Sequence, residues 1–151
     1  MALSLFTALS LAIVYRITIN FSDIPYSPQL ARPGSEDFLN VAQRVNDALQ
    51  NVLKPIPGSH RVSVLRFRYH QVIGSLVTFD IYSDSADHHA LHHMLKAAIA
   101  AGHIGNYAVG QEGFEFHVLK GAGNTRYCFL IFILIVLRSK TCPFVSGHSF
   151  N

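Results

Sequence analysis

The stretch Arg61–Ser83, RVSVLRFRYHQVIGSLVTFDIYS, decides the fold. Its first part, RVSVLRFRY, is rich in β-branched and aromatic residues. Its last part, SLVTFDIY, sets Ser75, Val77, Phe79 and Ile81 against Leu76, Thr78, Asp80 and Tyr82 in strict alternation. Two such runs joined by HQVIG predict a β-hairpin, because a period of two places alternate side chains on opposite faces of a sheet.

Working outward, YRITINFS (15–22) alternates in the same way. Tyr15, Ile17, Ile19 and Phe21 fall on one side, and Arg16, Thr18, Asn20 and Ser22 on the other, so a half-buried strand is expected. The next segment, SDIPYSPQLARPGS, holds three prolines and a glycine and breaks regular structure. Ser35 then stands where an N-cap belongs, with Glu36 and Asp37 in a first turn that favours negative charge. Phe38, Val41, Ala42, Val45, Leu49, Val52 and Leu53 form one helical stripe, closed by KPIPG. Beyond the hairpin, Leu91, Met94, Leu95, Ala98 and Ile99 define a second helix with Gly102 as its cap. After a glycine-punctuated loop, GFEFHVL alternates again as a last strand. The order β-α-β-β-α-β predicts an α+β fold of the ferredoxin-like split β-α-β type, with a four-stranded antiparallel sheet and two helices on one face.

Composition narrows the partners. The chain has 151 residues, half of them apolar, enough for one folded unit with extensions, here placed at 15–120. The formal charge is +3, yet residues 15–120 carry six Arg and three Lys against nine Asp and Glu. The excess comes from Arg126, Arg138 and Lys140, so the folded part shows no clustered charge for a phosphate backbone and no nucleic-acid partner is expected. GFEFHV echoes an aromatic strand of RNA-recognition modules, but it lies on the wrong strand and lacks the leading basic residue; core packing explains Phe114 and Phe116. The two cysteines, Cys128 and Cys142, give neither metal spacing nor a disulfide framework.

Both ends are apolar. Residues 2–14, ALSLFTALSLAIV, have signal-peptide length without a basic start or a small-x-small cleavage site, so a secretory signal and a truncated start remain alternatives. Residues 127–137, YCFLIFILIVL, would rise roughly 16 Å as a helix against about 30 Å of hydrocarbon, too short to span a bilayer alone. The 121–151 tail reads as non-native sequence, with a membrane-anchor stub and a buried strand as the rivals and any membrane association left open.

Four sets of side chains carry candidate chemistry. His88, His89, His92 and His93 pair at a four-residue spacing able to hold zinc or copper, but the helix stripe turns most of them toward solvent, and no metal or other cofactor is expected. Arg61, Arg66 and Arg68 give one strand a basic edge that fits sulfated glycans, or that protects an edge strand from pairing. Asn20 opens the one N-glycosylation sequon, NFS, and alternation sets it opposite Ile17 and Ile19, where a glycan would fit. Gly74-Ser75 stands at the entry to the second hairpin strand.

With the sequon strand, YSPQL, PGSEDF, IPGSHRVSVLRF and EGFEFHVL in this order, the segment from Tyr15 to Lys120 resembles a SEA module, most of all that of basement-membrane heparan sulfate proteoglycans. The resemblance implies a secreted, glycan-rich matrix setting, with matrix glycans or glycoproteins as partners and a non-enzymatic spacer role. The acidic Ser-Gly attachment motifs of such proteoglycans are absent, so the chain reads as a fragment of one. In self-cleaving relatives, such as those of membrane-tethered mucins at the cell surface, a strained Gly-Ser bond is attacked by its own serine. The resemblance would make Gly74 the carbonyl donor and Ser75 the nucleophile; no base is identifiable, although His70 is near in sequence. Leu76 departs from the usual valine or isoleucine, and an intact bond is expected. An intracellular ferredoxin-like binding domain is the third alternative.

Overall fold

The computed structural model describes residues 13–119, all within the first of the two units, 1–120 and 121–151, into which the chain divides. The apolar N-terminal run up to residue 12, the 127–137 run and both cysteines lie outside the described residues. Seven elements follow in order: β1 (Ile13–Phe21), α1 (Glu36–Leu53), β2 (His60–His70), β3 (Gly74–Ser83), α2 (His88–Ala101), β4 (His103–Ile104) and β5 (Tyr107–Leu119). The strands form one antiparallel sheet in the order β2-β3-β1-β5-β4. α1 lies against β2, α2 against β5, and the helices touch each other.

Each expected element forms for the reason its residues suggest. Ser35 caps α1, its Oγ accepting from Phe38 N at 3.1 Å while donating to the Gln29 carbonyl at 2.7 Å. That one hydroxyl ties the proline-rich crossing to the helix start. Phe38, Ala42, Val45, Leu49 and Leu53 are buried on the inner face of α1, and Phe38 meets Phe67 of β2 edge-on at 5.3 Å. Gly102 ends α2 in the left-handed region at φ 85°, its N–H donating to the Ile99 carbonyl. The hairpin of Arg61–Ser83 is present, and Tyr15, Ile17, Ile19, Phe21, Val77, Phe79 and Ile81 line the core at 1% exposure or less. Burying this many large apolar side chains supplies the main driving force for the fold, on the order of 2 kcal/mol for each.

Two features correct the expectation. The sheet has five strands, not four, because the supposed loop after Gly102 is a tight hairpin of β4 and β5 through Gly105-Asn106. Gly105 has φ 59° and Asn106 does not enter positive φ, the pattern of a type II′ turn, whose twist matches the flanking strands. A side chain at Gly105 would stand 2.9 Å from Ala48 Cβ, so glycine also lets the hairpin dock on α1. Second, β5 starts at Tyr107 and carries a large bulge: Thr18 pairs with Glu115 but Asn20 with Gly110, leaving residues 111–114 opposite Ile19. Gly113 at φ 77° makes that detour possible, and any Cβ there would meet Leu76 Cδ2 at 2.8 Å and Ile73 Cδ1 at 2.9 Å.

Candidate functional site

The corner where β2 turns into β3 holds the residues with the most chemical potential. Gly74 begins β3 at φ 95°, a conformation that glycine adopts without strain and other L residues do not. Ser75 follows at 2% exposure, its Oγ donating to the Ile24 carbonyl at 2.7 Å. The hydroxyl therefore ties β3 to the crossing that leaves β1. His70 Nδ1 accepts from Val72 N at 3.3 Å, which uses the histidine inside its own turn. Leu76 is nearly buried on the opposite face, over Gly113.

Asn20 is not on an open face, contrary to what alternation implied. It is 5% exposed, and Thr18 beside it is 3% exposed. The reason lies in the topology: β1 is the middle strand, with β3 on one side and β5 on the other. Thr18 Oγ1 is 3.1 Å from Thr78 Oγ1, and the outward-facing Leu76 flanks Asn20 across β3. Gly110, paired opposite, makes room for the amide; a Cβ there would stand 3.0 Å from Asn20 Nδ2. Asn20 Oδ1 is buried without a hydrogen-bond partner. At 5% exposure the side chain leaves little open surface for a glycan.

The outer face of the sheet is polar and ordered across strands. Arg16 forks onto Asp80 with two bonds of 2.8 Å, Nε to Oδ1 and Nη2 to Oδ2. Asp80 is 3% exposed, and its hydrogen bond is the foremost cause of the raised Arg16 pKa. On β2, the edge strand, Arg61, Arg66 and Arg68 are all exposed. They stand opposite Tyr82, Thr78 and Leu76, which alternate along one face of β3. Arg61 and Arg66 are five residues apart and would point to opposite faces of a regular strand. The bulge between Val64 and Arg66 restores the parity and puts all three on one face. Arg61 lies over the Tyr82 ring at 4.9 Å. Among the described residues, neither Arg66 nor Arg68 has a carboxylate within salt-bridge reach.

The four histidines of α2 do not converge. His88, His89 and His93 are exposed, and the His88 and His89 rings lie 4.2 Å apart. His92 instead leans on the sheet, 5.8 Å from Phe114 and 5.0 Å from Phe116 between ring centroids. Desolvation there lowers its pKa, with Lys96 and the neighbouring histidines adding repulsion. Among the described residues no three His, Cys, Asp or Glu side chains are placed to hold a metal ion. The same holds for membrane crossing by helices: none among the described residues is long and apolar enough.

Sequence reasoning missed the partner that holds Ser75, because Ile24 acts through its backbone and lies 51 residues away. It also missed the Arg16–Asp80 pair, whose only signal was an opposite-charge match once the register of β1 and β3 is known. In comparison with known proteins, the model of the SEA domain matches residues 13–109. The chain belongs to the SEA domain family. A curated relative, the basement membrane-specific heparan sulfate proteoglycan core protein of Mus musculus (perlecan), is 31% identical over 110 residues. That match covers 71% of this chain and 3% of the mouse protein, so the chain spans a small part of that relative's length. SEA domains are generally non-catalytic.

Proposed function

We propose that this chain acts outside the cell as a non-cleaving SEA module of a perlecan-like matrix proteoglycan, a folded spacer that meets anionic glycan chains through the outer face of β2. The order of the long strands, β2-β3-β1-β5, supports a ferredoxin-like arrangement for this module, with β4 as an added edge. Residues 15–120 are taken as the module. The observation that carries the glycan contact is the row of Arg61, Arg66 and Arg68, exposed on one face of an edge strand and spread over roughly 20 Å. A linear polyanion can lie along such a row without entering a pocket, and guanidinium groups match sulfate and carboxylate geometry in a bidentate way. The same charges keep the open edge of β2 from pairing with other strands.

The hydrogen bond of the Ser75 hydroxyl to the Ile24 carbonyl, and its burial, support the reading of an intact Gly74-Ser75 bond. Self-cleavage in a membrane-tethered glycoprotein is the competing reading, and no hydrogen bond of Ser75 or His70 favours it. The test of the proposal is retention on immobilised heparin under a salt gradient, comparing the chain with Arg66→Ala/Arg68→Ala. Retention that shifts to lower salt in the double variant supports it. Absence of retention, or an unchanged elution position, overturns it.

A further inference from the structure

On the helix side of the sheet, away from the β2 arginines, α2 and the bulged part of β5 enclose an open cleft of about 600 Å³. Its formation follows from two sequence features. Ala97 and Ala100 on α2 present no bulk, so the helix surface is recessed between its apolar stripe and its solvent side. Facing them, the four residues 111–114 that stand opposite Ile19 leave the regular path of β5, and bulges re-aim side chains in this way. Gln111 and Phe114 are thereby turned toward the helix and line the cleft.

The lining is chemically mixed in an ordered manner. Ile99, 4% exposed, and the half-buried Phe114 supply apolar surface. His93 and Lys96, three apart on α2 and both exposed, supply a rim able to carry positive charge. Gln111, also exposed, supplies both an amide donor and an acceptor from the opposite wall. No Asp or Glu lines the cleft, and α2 contains none. A wholly apolar ligand would leave Lys96 and Gln111 desolvated without partners, and a small inorganic anion would make no use of the aromatic floor.

We infer that this cleft binds one acidic pyranose unit of a glycan chain, its carboxylate or sulfate on Lys96 and His93, its hydroxyls on Gln111 and its C–H face against Phe114. The volume fits such a unit, since small-molecule sites run from about 300 to 1,000 Å³. The inference rests on the glycan-rich setting proposed above for the supply of ligand, but it uses none of the β2 arginines.

Two probes separate the sources of charge: a sulfated heparan-type tetrasaccharide and an unsulfated uronate-containing one of equal length, each titrated into the full chain with amide chemical shifts recorded. The expected result is perturbation of the amides of Lys96 to Ala100 and Gln111 to Phe114 by at least one probe. Lys96→Ala is expected to weaken binding about tenfold, the usual scale for losing a charge-assisted hydrogen bond. Gln111→Ala is expected to weaken it less, and Arg66→Ala/Arg68→Ala to leave these amides responding as before. Perturbation confined to β2, no perturbation at saturating probe, or full binding by Lys96→Ala overturns the inference. Loss of the β2 response alone would instead count against the arginine row, so the two failures are distinguishable.

Discussion

Replacing Ser75 by alanine tests whether that residue is a structural tether or a nucleophile. Its Oγ donates to the Ile24 carbonyl at 2.7 Å from a position 2% exposed. Alanine removes the donor, adds no bulk and leaves a carbonyl without this partner at a residue that is itself 5% exposed. The destabilisation expected from an abandoned buried acceptor is about 1–3 kcal/mol. For a domain of ~100 residues, each 1 kcal/mol moves the midpoint by about 4–8 °C, so Ser75→Ala should lower Tm by about 4 °C or more. Thermal unfolding followed by circular dichroism measures this. Denaturing electrophoresis of the same samples supplies the second readout, with one full-length band expected for both proteins. Cleavage between Gly74 and Ser75 would divide the 151 residues into pieces of 74 and 77. If the wild type gives those two fragments and the variant does not, Ser75 is a nucleophile and the tether account fails. A Tm change below about 1 °C would also refute it, by showing that the bond to Ile24 contributes nothing.

Gly113→Ala forces a side chain into φ 77° and against Leu76 and Ile73, so a loss of about 1–2 kcal/mol from the backbone alone is expected in urea unfolding. Asn20 should be unmodified in protein secreted from a glycosylating cell, since its amide is enclosed by β3 and β5; peptide mass spectrometry showing high occupancy would contradict the burial. His92 has a folded-state pKa below its ordinary value of 6.5, so the folded state resists protonation. Its contribution is complete above that value and declines as pH falls below it, because the unfolded chain takes up the proton first. The Tm of the wild type should therefore drop more between pH 7.5 and 5 than that of His92→Leu, and equal drops would show that the packing on Phe114 and Phe116 does not govern this titration.

The elements were legible wherever local chemistry and periodicity agreed. Ser35, the α1 stripe, Gly102 and the alternation from Ser75 to Ile81 each act within a few residues, and each appears in the fold as its pattern implies. The Gly105-Asn106 turn was also within reach, since Gly-Asn between two β-prone runs is a hairpin signal, but two residues of β4 are too few to show a period.

What the sequence by itself determined is the alternation of strands and helices and the inward set of apolar residues, because those follow from a period of two or 3.6 along one segment. Burial of the other face, and the sharing of that face by three arginines, were decided only in three dimensions. Asn20 looks outward on its own strand and is enclosed because that strand became the centre of the sheet. Arg61 and Arg66 look opposed along the chain and are aligned because a bulge between Val64 and Arg66 inserts one residue. The hydroxyl of Ser75 finds its acceptor at Ile24 because the crossing folds back onto the corner. For Asn20 and Ser75 the deciding atoms lie on other segments, and the β2 bulge shows only in its register against β3; no pattern within a single strand encodes which neighbour the sheet will place there.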